Sequence, residues 1–113
     1  MNDEQLISFQ RLDVYVVARE IAVKVCGAKI RDGELRDQAE RAAKSAFLQV
    51  SEGLPHDSVA MRRKYFSCAR GSACEVAAAV DLALRLDAID GGAATEILSL
   101  AKRLHMMIRG AMR

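Results

Sequence analysis

Helix-breaking residues interrupt this chain of 113 residues in only three places. Glycine, proline and aspartate cluster at 27–33, 53–58 and 87–92. Between these breaks, apolar residues recur with the helical period and predict helices at 10–29, 34–53, 59–87 and 93–111. Asp32 and Ser58 are the expected N-caps, and the Gly91-Gly92 pair is expected to end a turn before the fourth helix. Since short connections join antiparallel neighbours, the predicted fold is all-α: an antiparallel up-down-up-down four-helix bundle.

The composition suits one helical domain that spans residues 1–113. Hydrophobic residues make up 51 % of the chain and aromatic residues only 4 %, and Pro55 is the single proline. A core built from Ala, Leu and Val favours helices over a sheet. A chain of this length buries one core and has little left for a second.

The three cysteines do not form a metal or disulfide motif. Cys26, Cys68 and Cys74 are an odd number without CxxC spacing, and each has apolar helical neighbours. We expect reduced, buried thiols in an intracellular protein.

The sequence predicts a cytoplasmic protein with no membrane partner. The first residues are acidic, which is untypical of a secretory signal or a transit peptide. The longest apolar run, residues 73–86, contains Glu75 and Asp81 and is too short to span a bilayer.

The third helix carries more apolar surface than a four-helix bundle needs. Its apolar arc covers about 200° of the circumference, where about 100° suffices for a helix on a monomer surface. The arc runs through Tyr65, Phe66, Cys68, Ala69, Ala73, Val76, Ala79, Val80, Leu82, Ala83, Leu84 and Leu86. This additional apolar surface predicts that the protein self-associates, with Leu82 or Leu86 facing a second subunit.

Two helices carry polar residues next to or inside their apolar arcs. In the second helix Gln38, Arg41, Ser45, Gln49 and Glu52 form a stripe separate from its solvated face, and in the third Ser72 and Glu75 interrupt the apolar arc. Antiparallel neighbours bring together residues equidistant from the connecting turn. We therefore expect an Arg41–Glu75 ion pair with Ser45 and Ser72 as hydrogen-bonding neighbours, at the core margin or across a subunit interface. The alternative is a solvated edge that contributes about 0 to 1 kcal/mol.

Three motifs resemble the family known as four helix bundle protein, or large-subunit ribosomal RNA intervening-sequence protein. They are carried by Phe9 and Leu12, by Gln38, Arg41, Ala42, Ser45, Glu52 and Gly53, and by Ala69, Arg70, Gly71, Ser72 and Glu75. The chain has Gln49 where the family usually has asparagine. The resemblance implies an antiparallel bundle that assembles into a ring-like homopentamer, and it implies no particular activity.

Catalytic, metal and cofactor sites are not expected. Neither His56 nor His105 belongs to a Glu-x-x-His element, so a di-iron bundle is disfavoured, and both are expected on the surface. Cys68 and Cys74 have no histidine nearby in sequence that would make them nucleophiles. There is no glycine-rich phosphate loop.

Charge is distributed unevenly along the chain. Residues 1–58 contain eight basic and ten acidic residues, whereas residues 59–113 contain nine basic and five acidic ones. An up-down-up-down bundle brings the start of helix three and the end of helix four to one end, next to Arg11. The basic residues expected there are Arg62, Arg63, Lys64, Arg70, Lys102, Arg103, Arg109 and Arg113. A C-terminal helix dipole accounts for cations on helix four but not for those at the start of helix three.

These observations favour a non-enzymatic homo-oligomer that binds the backbone of RNA or DNA through this basic end. Phe66 lies in the core arc, so base stacking by the Tyr65-Phe66 pair is not expected. The alternative is a protein-interaction scaffold with no nucleic-acid role, in which the charges serve solubility. A third hypothesis, ranked below these two, is that the protein is an enzyme.

Overall fold

The protein was characterised as a computed structural model that describes residue 6 and residues 8–112, with residues 10 and 11 by their backbone alone. A short 3-10 helix, Ser8–Arg11, precedes four α-helices: α1 (Asp13–Gly27), α2 (Gly33–Gly53), α3 (Val59–Arg85) and α4 (Gly91–Ala111). These residues contain no strand. The predicted all-α class is confirmed, and the first α-helix begins at Asp13 because the 3-10 helix and the extended Leu12 precede it.

Side-chain caps fix where three helices begin. Asp32 and Ser58 each accept a hydrogen bond from the backbone N–H three residues further on, at 2.9 and 3.3 Å. Both predicted caps are confirmed. The Gly91-Gly92 pair lies inside α4, because Asp90 caps that helix with a 3.0 Å hydrogen bond from a first-turn N–H. The turn therefore ends earlier than expected.

Side-chain contacts make α1 an antiparallel neighbour of both α2 and α4. The ring of Tyr15, near the start of α1, lies 5.1 Å from that of Phe47, near the end of α2. Lys24 Nζ, near the end of α1, lies 2.8 Å from Glu96 Oε1 in the second turn of α4. The hydrogen bond and charge of Glu96 raise the pKa of the exposed Lys24 amine above its ordinary value.

α2 and α3 are also antiparallel neighbours, and residues near the end of α2 contact residues about two to four turns inside α3. Ser72 Oγ donates to Gln49 Oε1 at 2.9 Å. Closer to the turn, a Cβ added to the buried Gly53 would lie 3.0 Å from Tyr65 Cβ and 3.1 Å from two ring atoms of Phe66. The end of α2 therefore packs closely against α3, and this close approach requires glycine.

One core runs through the bundle. The predicted apolar arcs of all four helices contribute to it, and small alanines of α2 and α3 let these helices approach closely. The largest fully buried side chains are Ile21, Val25, Ile30, Val50, Val76, Val80, Ile97, Leu104 and Ile108.

The α3 arc is only partly buried within one chain. Phe66, Ala79 and the alanine and valine positions beside them are buried, as predicted. Leu82 is 48 % exposed and Leu86 is 57 % exposed. The bundle therefore leaves part of the arc in solvent.

Candidate nucleic-acid interface

The start of α3 brings three basic residues to one end of the bundle. Ser58 begins the helix, so Arg62, Arg63 and Lys64 fall in its first two turns. Arg63 and Lys64 are exposed. Arg62 is half-buried, and its Nη1 donates to the backbone carbonyl of His56 at 3.3 Å, which ties the helix to the preceding turn.

The final turn of α4 adds Arg109 to the same end. The exposed Lys102 and Arg103 lie about two turns earlier, near the middle of α4, where Lys102 lines a cleft with Cys74 and Ala77 of α3. Arg70 is half-buried about two turns further along α3 than Arg63. We call this set the basic end: Arg62, Arg63, Lys64, Arg70, Lys102, Arg103 and Arg109. Arg113 and the side chain of Arg11 lie outside the described residues.

No member of the basic end forms an ion pair with a described residue. The ion pairs among the described residues are Lys24–Glu96, Arg36–Asp37 and Arg85–Asp81, and none includes a member of the basic end. On α3 and α4, residues 59–74 and 97–112 contain no acid. The exposed Glu52 and Asp57 share this end of the bundle but lie on α2 and the turn. The positive surface is therefore confined to the α3 and α4 side.

An aromatic pair lies beside these cations. The rings of His56 and Tyr65 are stacked, with centroids 5.4 Å apart and planes inclined by 22°. Both residues are half-buried, so His56 is not the freely exposed loop residue that the sequence suggested. Phe66 is buried as predicted, whereas Tyr65, which the sequence analysis treated together with it, remains partly accessible. The helical spacing of Tyr65 near the edge of the arc was the available indication.

Comparison with known proteins identifies the family to which this chain belongs. The profile described as "23S rRNA-intervening sequence protein" matches residues 10–110. The chain belongs to this family. A search of curated proteins found no match.

A solved structure supports the four-helix fold of this chain. A Bacteroides thetaiotaomicron protein of unknown function, described as from the S23 ribosomal protein family, superposes with a TM-score of 0.79. The match covers 88 % of this chain and 98 % of that one at 16 % sequence identity. At this identity the likeness concerns the four-helix fold.

The family motifs of α2 and α3 meet through one hydrogen bond that was not predicted. Ser72 is 8 % exposed and donates to Gln49, the residue that stands where the family usually has asparagine. Arg41 and Glu75 are both exposed and form no ion pair within the chain, so the predicted intrachain pair was wrong. The cross-helix contact that forms is the hydrogen bond between the Ser72 hydroxyl and the Gln49 side-chain amide. Pairing of Arg41 with Glu75 across a subunit interface stays a prediction.

The remaining stripe residues lie at the surface. Glu52 is exposed and Ser45 is half-buried, and neither makes a side-chain hydrogen bond to Arg41 or Glu75 among the described contacts. The stripe is therefore a solvated edge within one chain, apart from the Gln49–Ser72 contact.

The cysteines are exposed in the isolated chain, contrary to the expectation of buried thiols. Cys74 faces a small cleft between α3 and α4, of about 160 Å³, that is also lined by Lys102 and His105. His105 is half-buried there rather than freely exposed. The fold thus brings a histidine close to a cysteine that has none nearby in sequence.

The described residues contain no group of three or more His, Cys, Asp or Glu residues placed to hold a metal ion. None of their helices combines the length and the hydropathy needed to cross a membrane.

Proposed function

We propose that this family member is a non-enzymatic, homo-oligomeric cytoplasmic protein that binds the backbone of RNA or DNA through its basic end. The proposal rests on one observation. Antiparallel packing brings the start of α3 and the end of α4 to the same end of the bundle, where their cations have no carboxylate partner among the described residues.

Unpaired arginine and lysine side chains on one surface suit a phosphate backbone. Each contact to a phosphate releases condensed counterions, which drives binding without reading the sequence. A helix dipole disfavours cations at the start of α3, so dipole complementation does not account for Arg62, Arg63 and Lys64. The family description includes a ribosomal RNA, which makes RNA the first ligand to test.

Self-association belongs to the same proposal and is supported by the outer side of α3. Leu82 and Leu86 remain about half exposed, and Leu48 of α2, on the adjoining helix, is 56 % exposed. Burying these residues against another subunit removes apolar surface from water. We propose a closed ring, with five subunits as the expected number, which repeats the basic end once per chain.

The alternative function is a protein-interaction scaffold. One feature favours it: a shallow groove of about 390 Å³ on the outer side of α4, lined by Ser99, Lys102, Arg103, Met106 and Met107. Methionine side chains adapt to varied apolar partners. If the protein is such a scaffold, Lys102 and Arg103 lie beside a bound protein and not beside a nucleic-acid backbone.

A salt titration with matched charge variants separates the two functions. Fluorescence anisotropy of labelled RNA should show an affinity that falls as salt rises. The double variant Arg63→Glu/Lys64→Glu should weaken binding and flatten the salt dependence by about one unit of slope for each lost phosphate contact.

The control is Lys29→Glu/Lys44→Glu, which makes the same change in charge at exposed residues outside the basic end. It should bind RNA much more tightly than the test variant. Equal losses in both variants, salt-independent binding, or no binding by the wild type would contradict the proposal and favour the scaffold.

A further inference from the structure

The stacked pair of His56 and Tyr65 is built into the turn between α2 and α3. Their ring planes are within 22° of parallel at a centroid distance of 5.4 Å, which is an offset-stacked geometry. Both residues are half-buried, so part of the pair remains open to solvent. Aromatic surface of this kind can accept a further flat ring.

Two contacts hold the pair in place. The Cβ of Tyr65 packs against Gly53, where an added Cβ would lie only 3.0 Å from it. Arg62 Nη1 donates to the carbonyl of His56 at 3.3 Å and so restrains the turn. A ligand ring that joins a restrained pair costs less conformational entropy than one that must order a mobile loop.

Two exposed cations lie in the same turns of α3 as Tyr65 but project from other faces of the helix. Lys64 is about 100° and Arg63 about 160° around the helix axis from Tyr65, and neither forms an ion pair with a described carboxylate. An aromatic stacking surface beside a positively charged track is the combination with which proteins bind single-stranded nucleic acids. In a duplex the bases are already stacked and paired, so they do not reach such a surface.

We propose that His56 and Tyr65 form a stacking platform for a base of single-stranded nucleic acid, while Arg63 and Lys64, which project from other faces of α3, bind phosphates further along the strand. This rests on the proposed nucleic-acid binding and narrows its ligand from any phosphate backbone to a single strand. Arg62 acts as a positioning residue because its guanidinium is engaged with His56.

The test compares a short labelled oligouridylate with an abasic strand of the same length and charge. Wild type should bind the base-bearing strand roughly tenfold more tightly than the abasic strand. Tyr65→Leu should reduce the affinity for oligouridylate to the abasic level and leave abasic binding unchanged. Tyr65→Phe keeps an aromatic ring and should retain the preference.

A second measurement uses the native stack and needs no change at Tyr65. The chain has two tyrosines and no tryptophan, so in Tyr15→Phe protein Tyr65 is the one remaining tyrosine fluorophore. Oligouridylate should quench its emission, after correction for absorption with a free tyrosine amide, and the abasic strand should not.

The outcomes separate this inference from the proposed function. Equal, salt-dependent binding of both strands without quenching would overturn the stacking platform and leave backbone binding intact. Equal losses for both strands in Tyr65→Leu would likewise overturn it, since they indicate a structural role. Failure of wild type to bind either strand at low salt would overturn both.

Discussion

At the scale of single residues, the approach of α2 to α3 depends on an absent side chain. Gly53 is buried, and its ideal Cβ position lies 3.0 Å from Tyr65 Cβ and 3.1 Å from Phe66 ring atoms. Its backbone does not adopt a left-handed conformation. Space, and not backbone freedom, is therefore the reason for glycine here.

Gly53→Ala should lower the free energy of unfolding by about 1 to 3 kcal/mol, because the added methyl group overpacks the junction. Urea denaturation followed by circular dichroism measures the effect. Gly110→Ala is the control, since nothing lies within 4 Å of the added Cβ there and alanine favours the helix. If Gly53→Ala had the same free energy of unfolding as the wild type, α2 and α3 would have to move apart there to accommodate the methyl group without loss of stability.

At the scale of secondary-structure elements, α3 with its C-cap carries more of the exposed large apolar residues than any other described helix. A bundle helix has to bury only about 100° of its circumference, and α3 buries that portion while Leu82 and Leu86 remain outside. An exposed apolar surface on one helix is typical of an interface.

Leu86→Lys should dissociate the oligomer, because a buried, unpaired ammonium group is strongly unfavourable. Sedimentation velocity at micromolar concentration should show the closed assembly for wild type and a monomer for the variant. Val23→Lys makes the same change at a residue of α1 that is 61 % exposed, and it should leave the assembly intact. A monomeric wild type would show that the exposed leucines serve no self-association.

At the scale of the whole molecule, assembly and nucleic-acid binding should be coupled. A ring presents the basic end once per subunit, and simultaneous contacts along one strand raise the effective concentration of each further contact. An RNA strand that contacts several subunits of the ring should therefore be attracted more strongly than the charge of a single chain implies.

Leu86→Lys should therefore bind a long RNA more weakly than wild type, although it adds a positive charge. Val23→Lys adds the same charge without dissociation and should bind at least as tightly as wild type. Anisotropy titrations at one fixed salt concentration measure both. Tighter binding by Leu86→Lys would contradict the coupling and indicate that a single bundle suffices.

The sequence by itself determined the helices, because helical periodicity and breakers are local properties of the chain. The arcs of α1 and α4, the N-caps Asp32 and Ser58, and burial of Phe66 were all predictable for this reason. Which helices are neighbours in the bundle was also predictable, because short turns join consecutive helices as antiparallel neighbours. The collection of basic residues at one end was inferred from that order.

Only the tertiary structure decided which side chains meet across helices. Gln49 lies four residues before the end of α2 and Ser72 thirteen residues after the start of α3, so residues equidistant from the turn do not meet. Arg41 and Glu75 are therefore both exposed and unpaired with each other within the chain. The stack of His56 on Tyr65 was equally hidden, because it depends on how the 54–58 turn folds back over α3. Periodicity fixes the face of a helix on which a residue lies, whereas rotamers, turn geometry and the closeness of packing decide which atoms touch.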